Sequence, residues 1–134
     1  MDLYRGHLNA ANPEVPLDDR LLSHWRSIQD NSLLNYVVAE VDGSVVATCN
    51  LTVVPNLTYN LQPYGLIENV VTHADYRRQG LGKAVVQMAL DIAWEAGCYK
   101  VMLLSGSSRE GAHRLYDSVG FLGDKKKGYV AYRP

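Results

Sequence analysis

Apolar residues recur at three- and four-residue steps near the N-terminus, which predicts an amphipathic helix ending at about residue 31. Asp18 or Asp19 lies in its opening turn. The pair Asn12-Pro13, followed by Pro16, separates this helix from a shorter one predicted around residues 2–8. The apolar positions of the longer helix are Leu17, Leu21, Leu22, Trp25 and Ile28.

A second amphipathic stretch covers residues 80–97, and Gly97 is a typical signal for the end of a helix. A shorter helix is predicted at residues 110–118, where Gly120-Phe121 follows it. The predicted apolar face of the 80–97 helix consists of Leu81, Val85, Met88, Ala89, Ile92 and Ala96.

Residues typical of β-strands fill much of the remaining chain. Residues 36–41 and 44–54 flank Asp42-Gly43, a strong signal for a hairpin turn. Residues 66–72 predict a buried strand that contains a polar Glu-Asn pair, after a loop at residues 55–63. Residues 101–104 are wholly apolar, as in a strand covered on both faces. A last strand is predicted at residues 128–132.

The order of elements predicts one α/β domain spanning residues 1–134, which is a normal length for a single domain. The strand–helix–strand unit in the middle should be parallel, with a right-handed crossover. We therefore expect a mixed central sheet with helices on both faces.

The stretch Arg77-Arg78-Gln79-Gly80-Leu81-Gly82-Lys83 lies between a predicted strand and the helix that follows. Glycines let the backbone approach a ligand closely, and the first-turn N–H groups of a helix point outward at the positive end of its dipole. Three cationic side chains flank these groups in a chain of net charge −1. The pattern favours a phosphate or pyrophosphate site.

Two other nucleotide-binding loops do not fit. A dinucleotide fold places a third glycine where this chain has Val85. A Walker loop requires Ser or Thr after the lysine, but Ala84 follows Lys83, and position 77 is not a glycine. A glycine-rich helix start with solvated arginines is the structural alternative.

The stretch resembles the cofactor signature of the GNAT superfamily of acyl-CoA-dependent N-acyltransferases, [Gln/Arg]-x-x-Gly-x-[Gly/Ala], through Arg77, Gly80 and Gly82. A second motif of that family matches Ala112-His-Arg-Leu-Tyr116-x-x-x-Gly120-Phe121. The likeness covers roughly residues 36–134. It departs from the family pattern in lacking a first edge strand and in carrying Arg109 where many relatives have Asn.

The resemblance implies that acetyl-CoA is the cosubstrate, with its pyrophosphate on residues 77–83. Its pantetheine arm would lie in a cleft between strands 68–71 and 101–104 and pair with the backbone at Val70 and Val71. Tyr116 would also contact the cofactor. Ile67-Glu68-Asn69-Val70-Val71 and the segment 97–100 are similar to glucosamine-6-phosphate N-acetyltransferases, although those enzymes carry Asp at the position of Asn69.

Acetyl transfer needs a neutral amine, and alkyl amines have pKa values of about 10.4, so a general base would help. Glu68 is the candidate base, and the alternatives for it are an arginine partner or plain solvent exposure. The resemblance places Tyr116 at the position of the family's general acid. A tyrosine hydroxyl is protonated at neutral pH and can donate to a thiolate, which suits that role. Packing against Phe121 is its structural alternative. His73 and His113 are more easily read as structural or solvated residues.

Composition excludes several partners. The near-neutral charge argues against nucleic acid, and no apolar run approaches the length of a membrane span. No metal-ligand spacing involves Cys49 or Cys98, which we read as reduced, buried thiols in the cytoplasm. We expect no signal peptide, and an incomplete sheet would leave an edge compatible with a homodimer.

The acceptor is open at this level. A small-molecule amine, such as an amino sugar phosphate, is favoured, bound by the variable loops at residues 31–36 and 55–64. A peptide or protein amine is the rival acceptor. A CoA-binding module without turnover is the alternative from another functional class.

Overall fold

The computed structural model describes residues 1–11 and 13–134, so Asn12 in the predicted helix break lies outside the described residues. Contacts divide the chain into two compact units, Met1–Leu103 and Leu104–Pro134. The elements in chain order are a short π-helix Tyr4–Leu8, α1 Asp19–Gln29, β1 Leu34–Val41, β2 Ser44–Val54, β3 Tyr64–Thr72, a 3₁₀ turn Ala74–Tyr76, α2 Leu81–Glu95, β4 Val101–Leu103 and α3 Glu110–Ser118.

The first unit contains a four-stranded sheet in the order β1-β2-β3-β4. The first two pairings are antiparallel, and β3 pairs with β4 in parallel through the α2 crossover. The predicted α/β fold with a mixed sheet is confirmed. No described residue forms a strand ahead of β1, so β1 is an edge strand of this unit.

Helices contact both faces of the sheet. On one face, the Cys49 thiol lies 3.4 Å from the carbonyl oxygen of Val85 in α2. On the other face, the Tyr4 hydroxyl of the π-helix lies close to the side chain of Thr48, the residue next to Cys49 on β2. Successive side chains of a strand point to opposite faces, so the two helices lie on opposite sides.

The predicted hairpin forms as the sequence indicates. Asp42 has φ 49° and Gly43 has φ 79°, and they join β1 to β2 in a two-residue turn. Left-handed conformations at both central residues match the right-handed twist of the strands.

The core lies between α2 and the sheet, and the buried stripe of α2 differs from the predicted one. Met88 is 52% exposed, and Ala96 is an exposed helix cap, so both assignments were wrong. The stripe lies further round the helix, since α2 turns its small and branched side chains toward the sheet. It consists of Gly82, Val85, Val86, Ala89, Leu90 and Ala93.

Strand β3 is interrupted near its middle. Asn50 pairs with Glu68 and Thr48 pairs with Val71, so β3 carries one extra residue between these pairs. Asn69 takes a left-handed conformation at φ 55° within that bulge. The parallel ladder to β4 ends at the Ile67–Leu103 pair, which leaves the outer edge of β3 without a ladder partner beyond Ile67.

The second unit contains α3 and irregular segments. Gly120, at φ 94°, ends α3 as predicted. The predicted strand at residues 128–132 was wrong, because residues 121–134 form neither helix nor strand. Tyr129 is 84% exposed and Tyr132 87%, so the apolar side chains of this segment are not buried as those of a paired strand would be.

Candidate functional site

The loop before α2 presents backbone N–H groups. Gly80 is the N-cap in a left-handed conformation, φ 81°, and no described side chain caps the helix. Among the described residues, no acceptor bonds the N–H groups of Leu81, Gly82 or Lys83. These three donors lie at the positive end of a 15-residue helix, which is a favourable position for an anion.

Two of the predicted phosphate-loop side chains hold the loop itself together. The guanidinium of Arg77 donates to the carbonyl oxygens of Thr72, at 3.2 Å, and His7, at 3.4 Å. The Gln79 amide donates to the Asp75 carbonyl at 3.3 Å. These contacts fix the path of the chain from β3 into α2.

The other two cationic side chains of the loop do not hold it together. Arg78, at φ 59°, and Lys83 are exposed, and neither forms an ion pair with a described residue. They are available to an anion beside the helix N-terminus, while Arg77 shapes the loop.

The histidines near the two motifs bond the backbone. His73 accepts a hydrogen bond from the Asp75 N–H, and its ring lies 4.0 Å from that of His7. His113 bonds the Gly106 carbonyl at 2.9 Å. These contacts agree with the structural reading of both residues.

The backbone of Val70 faces the unpaired edge of β3. Val71 pairs with Thr48, and the His73 N–H donates to Val46 on β2. Because backbone groups alternate along a strand, the N–H and C=O of Val70 point away from β2, and Val70 has no partner in either ladder. Val71, in contrast, is buried and paired with β2.

Glu68 is exposed and lies directly opposite Asn50 of β2. Its neighbour Ile67 is buried toward α2, so the carboxylate points to the other face of the sheet. No ion pair forms between Glu68 and a described residue, and its role as general base stays a prediction.

On the face of the sheet opposite α2, the N-terminal segment encloses a cavity of about 570 Å³ that Asn69 of the bulge also lines. An ion pair between Arg5 and Glu14, at 3.1 Å, lies on its wall. Tyr4 lines it too, and burial raises the pKa of its hydroxyl. Sequence reasoning missed this cavity, because the short N-terminal helix gives no sign of which strand it covers.

Tyr116 lies on α3 in the second unit. It is buried, and its ring makes an edge-to-face contact with Phe121, with centroids 6.0 Å apart. The predicted packing with Phe121 is present, and the general-acid role stays a prediction.

Both cysteines are buried and free. Burial raises the pKa of the Cys49 thiol to about 12 and also raises that of Cys98. Over residues 1–11 and 13–134, we found neither a cluster of metal-ligating side chains nor a helix long and apolar enough to cross a membrane.

Comparison with known proteins identifies the family. The sequence profile of the acetyltransferase (GNAT) family matches residues 2–121. A glucosamine 6-phosphate N-acetyltransferase of Trypanosoma brucei brucei is 34% identical over 116 residues, which cover 87% of this chain and 76% of that protein. One from Arabidopsis thaliana is 33% identical over 85 residues, 63% of this chain and 57% of that protein.

A solved structure supports the same conclusion. A candidate acetyltransferase from Agrobacterium tumefaciens str. C58 superposes with a TM-score of 0.88 at 37% identity, over 98% of this chain and 90% of that one. The loop before α2 and the interrupted strand β3 thus occur in a chain that belongs to the acetyltransferase (GNAT) family.

Proposed function

We propose that this chain transfers an acetyl group from acetyl-CoA to the amine of a small molecule, with an amino sugar phosphate as the favoured acceptor. The observation that carries the proposal is the pair of unused backbone features at the C-terminal end of β3. The first-turn N–H groups of α2 have no acceptor among the described residues, and the Val70 backbone faces an unpaired strand edge.

These features fit the two parts of the cosubstrate. The amides of Leu81, Gly82 and Lys83 would hold the pyrophosphate, with the exposed cations of Arg78 and Lys83 beside them. The backbone at Val70 would pair with the amide-containing pantetheine arm. When bound, acetyl-CoA supplies an acetyl group activated as a thioester. Arg77, Gln79 and Gly80 shape the loop that receives it.

Glu68 is the proposed general base. Its carboxylate stands on the face of the sheet that carries the cavity beside Asn69, one residue from the bulge. It would take a proton from the acceptor's ammonium group, directly or through a water molecule. Tyr116 is the proposed donor of a proton to the departing thiolate, since a phenol hydroxyl group can act as a hydrogen-bond donor.

The cavity of about 570 Å³ supports a small acceptor. Its wall carries both signs of charge, through Arg5 and through Asp2 and Glu14, of which Arg5 and Glu14 form an ion pair. That combination suits a ligand with an ammonium group and an anion. Relatives from Trypanosoma and Arabidopsis are named as glucosamine 6-phosphate N-acetyltransferases, which favours an amino sugar phosphate.

The loops predicted to bind the acceptor line a different cavity. It measures about 350 Å³ and lies at the C-terminal end of α2, where Ile92 and Ala96 contribute to it. Helix α2 rises about 1.5 Å per residue, so this cavity is roughly 20 Å from the phosphate loop. The cavity beside Asn69 is the preferred acceptor site, because Asn69 follows Glu68, the proposed base, on β3.

Three further proposals accompany the function. Residues 1–134 act as one catalytic domain. The two free, buried cysteines favour the cytoplasm as the compartment. The edge strand β1 is compatible with a homodimer. The alternatives to acetylation of a small molecule are acetylation of a peptide amine and CoA binding without turnover.

Release of free CoA thiol from acetyl-CoA tests the proposal directly. The amine panel contains glucosamine 6-phosphate, glucosamine, aminoglycosides, polyamines, amino acids and short peptides. We expect turnover with glucosamine 6-phosphate or a related amino sugar. Acetyl-CoA binding by calorimetry without turnover would favour the binding module, and turnover with peptides alone would favour the rival acceptor. Absence of acetyl-CoA binding would overturn the proposal.

A further inference from the structure

Three polar side chains form a row across the sheet. Tyr36 of β1 pairs with Asn50 of β2, and Asn50 pairs with Glu68 of β3. Residues directly opposite one another in an antiparallel ladder place their side chains on the same face, with Cβ atoms about 5 Å apart. Because Cys49 contacts α2, this polar row lies on the opposite face, where the N-terminal cavity is.

Asn50 is the central residue of the polar row, and the hydrogen bonding of its side chain is incomplete. The side-chain oxygen of Asn50 is shielded from solvent and has no hydrogen-bond partner among the described residues. Leaving a buried acceptor unpaired is destabilising, and such groups are uncommon in native proteins. All residues of β2 from Val46 to Leu51 except Asn50 are fully buried. For folding alone, an apolar side chain would therefore suit position 50 better.

The surroundings of the polar row point to a ligand. Asn69, the residue after Glu68, lines the cavity, and so does Tyr4. The Tyr4 hydroxyl lies close to Thr48, which lies two residues from Asn50 on the same face of β2. The polar row also stands level with the end of the β3–β4 ladder, at Ile67, where the unpaired edge begins.

We propose that Asn50 binds the acceptor and selects for one that carries hydroxyl groups next to its amine, as an amino sugar does. The inference rests on the proposed function. Glu68 takes a proton from the acceptor's ammonium group, and the Asn50 amide forms a hydrogen bond with a neighbouring hydroxyl. No described residue fixes the amide by a hydrogen bond, so rotation about its last torsion presents either its oxygen or its NH₂ group. Tyr36 flanks the amide on the other side.

The variant Asn50→Leu tests this role, because leucine has a similar volume and no polar atom. We expect the KM of this variant for glucosamine 6-phosphate to rise at least tenfold, while its KM for acetyl-CoA stays within twofold. The midpoint of thermal unfolding should be unchanged or higher, since a shielded unpaired oxygen is removed. A purely structural asparagine would instead lower stability and leave the acceptor KM unchanged, and that result would overturn the inference.

Thr52→Val is the matched control. Thr52 lies on the same strand and face as Asn50, two residues further from the bulge, and is also half-buried. Its loss of a hydroxyl should leave both KM values unchanged. If Asn50→Leu does not fold, Asn50→Asp keeps the shape of the side chain. It should raise the acceptor KM as well, because two carboxylates would then face each other across the ladder.

A binding measurement separates this inference from the proposed function. The ¹⁵N side-chain resonance of Asn50, assigned with Asn50→Asp, is followed while glucosamine 6-phosphate or glucosamine is added. Perturbation in the parent chain and weaker binding in Asn50→Leu support the inference even if no amine is acetylated. Turnover with unchanged binding in Asn50→Leu would overturn it and leave the proposed function standing. Absence of binding by either sugar would also overturn it.

Discussion

The guanidinium of Arg77 donates a hydrogen bond to the carbonyl oxygen of His7, 70 residues earlier in the chain. It also bonds Thr72 at the end of β3. The side chain with the strongest sequence signature in the phosphate loop therefore joins the N-terminal helix, the sheet and the loop. Its neighbour Arg78 makes no such contact with a described residue.

Replacing the two arginines separately should distinguish shaping the loop from binding the anion. Arg77→Gln should lower the free energy of unfolding by about 1 kcal/mol, because hydrogen bonds from an exposed charged group are lost. It should also weaken acetyl-CoA binding. Arg78→Gln should weaken acetyl-CoA binding several-fold and leave stability within about 0.5 kcal/mol. Urea unfolding and calorimetry measure the two effects, and equal stability of both variants would contradict the assignment.

Glu68→Gln should lower kcat by about 10²- to 10⁴-fold, the usual contribution of a general base. The affinity for acetyl-CoA should stay near that of the parent chain, since the carboxylate is not part of the phosphate loop. Steady-state kinetics as a function of pH provide the check, because loss of the base should be partly offset at high pH, where more of the amine is neutral.

Glu40→Gln is the control for that change. Glu40 is an exposed carboxylate on β1 outside the polar row, and its replacement should leave kcat unaltered. A kcat for Glu68→Gln equal to that of Glu40→Gln would show that Glu68 is only a solvated side chain.

Tyr116→Phe removes one hydroxyl from a buried ring that contacts Phe121. We expect kcat to fall by about 10²-fold or more while the Kd for acetyl-CoA changes little. Tyr129→Phe, at an 84% exposed tyrosine of the same unit, should have no effect. Unchanged turnover in Tyr116→Phe, with the protein folded by circular dichroism, would reduce Tyr116 to a packing residue.

Cys49 should make stability fall at alkaline pH. Burial raises the pKa of its thiol from 9.0 to about 12, so between these values the unfolded chain loses a proton that the folded chain keeps. The contribution of this protonated thiol to the free energy of unfolding is fully present below pH 9. It is lost as pH rises toward 12, by about 1 kcal/mol at pH 10. Urea unfolding at pH 8 and pH 10 should show a shallower loss for Cys49→Ala, and identical losses would contradict the assignment.

Local patterns were sufficient for most elements. The Asp42-Gly43 turn, the helix that starts after Gly80 and the stop at Gly97 all depend on residues that favour a left-handed backbone, a property of the residue itself. The strand at residues 128–132 was predicted from the same type of local signal and did not form. A strand needs a partner and a buried face, and neither is a local property.

The candidate phosphate loop could be predicted from the sequence alone, because a glycine-led helix N-terminus is built from consecutive residues and its charges lie beside it. The face proposed for the acceptor could not be predicted in this way. Tyr4, Tyr36, Asn50 and Glu68 come from four separate segments, and strand register and the docking of the N-terminal helix bring them to one face. Register depends on long-range pairing across the sheet, so no single segment contains the information that aligns these side chains.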